Sequence, residues 1–112
     1  MPNYKSQTAI ANAQDFDTTF TNEYDKDQTN ANILTPTSGT RLAIKGIYAN
    51  TEATTGTLRF IIDNNTVVSF FANAQSGYIP VNIKGLRNSP LKITTTVADD
   101  KNYFVLVNYR EE

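Results

Sequence analysis

The 112-residue sequence contains no cysteine, no histidine and no tryptophan. Lack of cysteine excludes disulfides, zinc–thiolate sites and thiol nucleophiles together, and it leaves the redox compartment open, because a cysteine-free chain is tolerated anywhere. Stability must then come from packing alone. Without histidine the commonest general base and metal ligand at neutral pH is missing, which argues against an enzyme. The five glycines are isolated, so no phosphate-cradling loop is present. No window approaches the roughly 18 consecutive apolar residues of a membrane helix, and the opening Met1-Pro2-Asn3-Tyr4-Lys5 has no apolar signal-peptide core. A soluble, unsecreted product with no membrane partner is expected. Ten bases stand against eleven acids, a net charge of −1, and the lysines and arginines form no run. Nucleic acid is therefore not an expected partner.

What is present is strand and turn chemistry. Threonine and asparagine replace many of the usual surface charges, a composition that suits strands and turns and suits helices poorly. The closing stretch Asn102–Arg110 is dominated by aromatic and β-branched residues with apolar side chains at both even and odd positions, so it reads as a central strand with apolar neighbours on both faces. Seven further runs precede it: 16–24, 33–35, 41–49, 57–62, 66–71, 78–84 and 91–97. Within 41–49 the alternation slips at Gly46, the signature of a bulge, after which Ile47 rather than Tyr48 continues the core row. Asp63-Asn64-Asn65 has the residues that tolerate the positive φ of a tight hairpin. Pro80 cannot donate to a ladder, which puts its strand at a sheet edge or turns that position outward from the ladder.

Eight short strands at intervals of about ten residues point to an all-β, eight-stranded antiparallel β-sandwich. Two four-stranded sheets with the last strand central fit a jelly roll better than an immunoglobulin-like sandwich, which would more often have seven strands and a core tryptophan. The length suits a single core.

Residues 1–31 differ from the rest. Five acids against two lysines give them a net charge of −3, whereas eight bases against six acids give residues 32–112 a net +2. Two organisations are open: an extended N-terminal arm that docks on a neighbouring subunit through Tyr4, Phe16, Phe20 and Tyr24, or a loop with one edge strand, 16–24, packed on its own domain. Asp25, Asp27 and Thr29 alternate like the start of a calcium loop, but the sixth position is Asn30 and no acid sits at the twelfth. A solvated turn is expected there.

Catalytic chemistry finds no constellation. The acid pairs Asp15/Asp17, Asp25/Asp27, Asp99/Asp100 and Glu111/Glu112 lie in turns or at the chain's end, and the Ser and Thr hydroxyls have no histidine to activate them. No catalytic, cofactor-binding or metal-ligating residue is assigned. Asn64-Asn65-Thr66 matches a glycosylation acceptor and is expected to be a hairpin turn. Aromatics are the better lead. Of Tyr48, Phe70, Phe71, Tyr78, Tyr103, Phe104 and Tyr109, most should fill the core, leaving one or two for a sheet face. Phe70 and Phe71 are adjacent in a strand, so only one can enter the core and the other needs cover. Phe70 and Tyr78 are taken as the candidate contact residues of a sheet face.

The runs Ile33–Tyr48, Thr55–Phe60, Leu91–Thr94 and the closing Val105–Tyr109 resemble small jelly-roll structural proteins of tailed bacteriophages, the head-decoration and fibre-attachment type. That resemblance covers residues 33–110 and implies a non-enzymatic virion component, commonly a homotrimer, bound to the major capsid protein or another virion protein. It implies a location in the virion after synthesis in the host cytoplasm. The reading of a different class is a carbohydrate-binding β-sandwich module that uses exposed tyrosines and loop acids on one sheet face.

Overall fold

The computed structural model describes residues 18–72, 77–97 and 101–112, and among them there is no helix. Eight strands follow one another: β1 (Thr18–Tyr24), β2 (Ala31–Leu34), β3 (Leu42–Thr51), β4 (Thr57–Ile62), β5 (Asn65–Phe71), β6 (Gly77–Lys84), β7 (Leu91–Thr95) and β8 (Tyr103–Glu111). They form two four-stranded antiparallel sheets, one in the order β1-β8-β3-β6 and the other β2-β7-β4-β5. Chain neighbours mostly sit in different sheets; β4 and β5 alone form a hairpin within one sheet.

Alternation builds the core. On β8, Tyr103, Val105 and Val107 point inward, and Leu42, Ile44, Ile47 and Ala49 do so on β3. Leu58, Phe60, Ile62, Val68, Leu91 and Ile93 meet them from the other sheet. The result is a β-sandwich with one shared apolar layer. Full burial of each large side chain contributes about 1.5–3 kcal/mol, the main term available to a chain without disulfides.

Irregularities sit where the sequence carries them. The β3 register shifts between Ile44 and Gly46 against both β6 and β8. Ile47 then resumes the inner row and Tyr48 faces out. A Cβ at Gly46 would collide with the phenol of Tyr78, so glycine lets that ring lie down on the sheet. Asp63 and Asn64 both take positive φ, 53° and 65°, between paired Ile62 and Asn65, which makes the β4–β5 connection a two-residue hairpin. Pro80 lies on β6, the edge strand beside β3.

Several particulars differ from the sequence reading. Residues 18–31, expected as part of an arm outside a 32–112 domain, belong to the sandwich. Thr18 through Tyr24 pair with Tyr109 through Tyr103, and Ala31 pairs with Ile93. The connector is fastened by a buried polar group. The backbone N–H of Gln28 donates to the Thr95 hydroxyl at 2.9 Å, and the Tyr103 hydroxyl donates to the Lys26 carbonyl at 2.7 Å. Asp27 accepts from Thr95 at 3.2 Å. Burial pushes the Tyr103 phenol above its ordinary value, with Asp27 and Tyr24 adding to the rise and the Thr95 bond opposing it. Phe16 and Tyr4 lie outside the described residues. β8 is central as expected, flanked by β1 and β3, but among the described residues only its inner face is covered by a second layer. On β6 the inward row of Ile79, Val81 and Ile83 is only partly covered, because that strand is an edge.

Candidate functional site

The outer face of the β1-β8-β3-β6 sheet holds several large side chains that the core does not use. Tyr48 pairs with Leu106 on one side and with Tyr78 on the other, and Phe104 pairs with Asn50 and with Glu23. Directly opposed side chains in antiparallel strands lie about 4.5–5.5 Å apart at Cβ, so these residues form one surface. The rings of Tyr48 and Phe104 meet edge to face, with centroids 6.2 Å apart. Tyr48, Phe104 and Leu106 are half-buried and Tyr78 is 46% exposed.

Amide side chains hold the phenols in place. Asn50 Nδ2 donates to Tyr48 Oη at 2.9 Å, and Asn108 Nδ2 donates to Tyr78 Oη at 3.0 Å. Asn108 in turn accepts the Thr19 hydroxyl at 2.7 Å, which links β1 to β6 across two strands. Each phenol oxygen serves as acceptor, which leaves its own O–H able to donate outward.

At one end this face opens into a cavity of about 560 Å³ lined by Glu23, Asn50, Glu52, Asn102 and Phe104, among others. Its end wall is tied by backbone: the Glu52 N–H donates to the Asn102 carbonyl at 2.9 Å, and the Asn102 N–H donates to Glu52 Oε1 at 3.2 Å. Its lining includes two aromatic residues, Phe104 and Tyr103. Such a volume falls within the roughly 300–1,000 Å³ of small-ligand sites, although this one is an open groove rather than an enclosed chamber.

Of the six residues singled out in the sequence, three pack against the chain's own core, one stands on a sheet face and two lie outside the described residues. Phe20 and Tyr24, read as contacts to a neighbour, pack against the chain's own core; Tyr24 stacks on Tyr103 with centroids 5.2 Å apart and planes 21° apart. β1 pairs with β8 in a register that turns its even residues inward. Tyr4 and Phe16 are the two not described. Phe70 also turns inward, edge-on to Phe60 at 6.0 Å, and its neighbour Phe71 is the ring left 57% exposed. Tyr78 stands on the sheet face as expected. Glu23, Asn50, Glu52, Asn102 and Asn108 were not singled out; their shared signal is a parity opposite to the core row, together with proximity in space that only the long-range pairing provides.

A second charged cluster lies at the other end of the same sheet. Glu112 receives Arg41 and Lys84 at 3.2 Å and Arg110 at 3.1 Å. Lys84 foremost, with Arg110 and Arg41 behind it, lowers the Glu112 carboxyl to about 2. Glu111 is lowered too, by the Thr37 N–H and then the Thr40 hydroxyl. These contacts close the chain's end onto the loop before β3. Among the described residues there is no group of three or more His, Cys, Asp or Glu side chains placed to hold a metal ion. No family model matches the chain, and no curated protein matches it.

Proposed function

We propose that the protein is a non-enzymatic virion structural protein of the capsid-decoration type, which self-associates as a trimer and docks on the major capsid protein or another virion protein through its N-terminal residues. The observation that carries this reading is the strand order. Two four-stranded sheets ordered β1-β8-β3-β6 and β2-β7-β4-β5 support a jelly-roll reading, an architecture used by viral capsid and lectin domains. The large apolar side chains left in solvent, Phe71, Tyr78, Ile79 and Leu86, add surface suited to protein contact.

The part of the chain assigned to docking is narrower than 1–31. Residues 18–31 are committed to the sandwich, so residues 1–17, with Tyr4 and Phe16, are left for the contact. The test is the solution mass by light scattering of the full chain beside a chain beginning at Thr18, with circular dichroism on both. A full-length trimer and a folded 18–112 monomer are expected. A full chain that stays monomeric at every concentration overturns the self-association, and an oligomer that survives truncation moves the contact from residues 1–17 to a sheet face. Jelly-roll architecture also serves some lectin domains, and the groove beside Phe104 favours a carbohydrate ligand as the second reading.

A further inference from the structure

We propose that the groove over Phe104 is a binding site for neutral saccharides, with further contacts along Tyr48 and Tyr78 for a chain of several sugar units. The inference stands apart from the assembly reading, because a monomer that binds sugar would sink that reading and leave this one intact.

A pyranose presents a face of C–H bonds and a rim of hydroxyls. Its receptor needs an apolar ring beneath and planar acceptors and donors around the edge. The groove supplies both. Phe104 supplies an aromatic ring to the lining, flanked in register by Glu23 on β1 and Asn50 on β3. Among the described residues the Glu23 carboxylate takes part in no hydrogen bond or ion pair. Glu52 accepts one bond, from the Asn102 N–H, through a single oxygen. Asn50 spends one amide hydrogen on Tyr48 and keeps its carbonyl oxygen, and the side-chain amide of Asn102 makes no bond to a described residue. Carboxylate oxygens are acceptors only, so the groove asks its ligand for hydroxyl donors, while the two amides both give and take.

Charge narrows the class. Two carboxylates at the groove repel uronates, sialic acids and phosphorylated sugars, which leaves neutral ones. Length is set by what adjoins the groove. Tyr48 lies edge-on to Phe104, and Tyr78 is paired with Tyr48 one strand further, so the rings step across β8, β3 and β6. Their hydroxyl oxygens accept from Asn50 and Asn108, so each phenol keeps an O–H able to donate to a ligand.

The experiment is a titration of the uniformly 15N-labelled full chain with maltohexaose, cellohexaose and chitohexaose, with hexagalacturonate and hexalysine as charged counterparts. At least one neutral hexasaccharide should shift the amides of Asn50, Glu52, Asn102 and Phe104, and its trisaccharide should leave Tyr78 unshifted. Glu23→Gln and Phe104→Leu should each weaken binding about tenfold while the spectra stay dispersed, the loss expected for one charge-assisted hydrogen bond or one stacking ring. The proposal is overturned if none of the three neutral hexasaccharides binds by about 10 mM, or if shifts centre elsewhere. It is equally overturned if both variants bind like the parent, or if hexagalacturonate or hexalysine binds more tightly than every neutral sugar.

Discussion

The two faces of the β1-β8-β3-β6 sheet are built from neighbouring residues of the same strands, yet they differ in what covers them. Inward, Ile47, Val105 and Val107 are fully buried against the opposite sheet. Outward, Tyr48, Phe104 and Leu106 are half-buried with no second layer over them among the described residues, and Tyr78 is more exposed still. A single step along the chain separates a residue that holds the fold from one that does not need to. Apolar side chains that the fold does not need for its core are the ones free to take part in the proposed binding.

The comparison breaks most visibly at adjacent positions on β3. Ile47→Ala should cost about 2–5 kcal/mol in urea unfolding, the transfer term plus a cavity, whereas Tyr48→Ala next to it should cost no more than about 1 kcal/mol. Thr95→Val comes next. It removes the hydroxyl that receives the Gln28 N–H and adjoins Tyr103, leaving a buried donor unpaired at about 1–3 kcal/mol. The same site gives a pH signature. Because the Tyr103 phenol is raised in the folded chain, its contribution is complete below the ordinary tyrosine value near 10 and is lost as pH climbs through the folded value. Tyr103→Phe should flatten that alkaline decline.

Gly46→Ala sharpens the contrast from the other direction. The inner row keeps its register while the added methyl displaces the Tyr78 phenol, so the Asn108–Tyr78 hydrogen bond should vanish from proton spectra at a stability cost of roughly 1 kcal/mol. Smallest is the effect at the chain's end. Glu112 titrates low in the folded chain, so its contribution is present above the ordinary carboxylate range and fades as pH falls toward about 2. A Glu112→Gln variant should lose the corresponding part of the acid dependence in a stability–pH profile.

Local chemistry was legible in the sequence because its causes are local. The bulge at Gly46, the hairpin at Asp63-Asn64, the edge position of Pro80 and the central place of the last strand each follow from residues within a few positions of one another. Pairing between distant segments was not. That residues 18–24 add to β8 rather than to a neighbouring molecule depends on a contact across some eighty to ninety positions of chain, for which Phe20 and Tyr24 carry no separate mark. The choice between Phe70 and Phe71 was hidden for another reason. β5 has apolar residues at both parities, and the register shift opposite Phe60 and Ile61 decides that Val68 and Phe70 turn inward. The groove combines both difficulties, since Glu23, Asn50 and Phe104 come from three strands, Glu52 and Asn102 adjoin two of them, and all acquire meaning only when paired.

The measurement that bears most directly on the division between the faces is urea unfolding of the triple variant Tyr48→Ala/Tyr78→Ala/Leu106→Ala set beside the single variant Ile47→Ala. The triple variant should unfold cooperatively and lose no more stability than Ile47→Ala does alone, although it gives up three large side chains. A triple variant that is unfolded in water, or that loses more than Ile47→Ala, would make the outer face part of the structural core and contradict its proposed use as a binding surface.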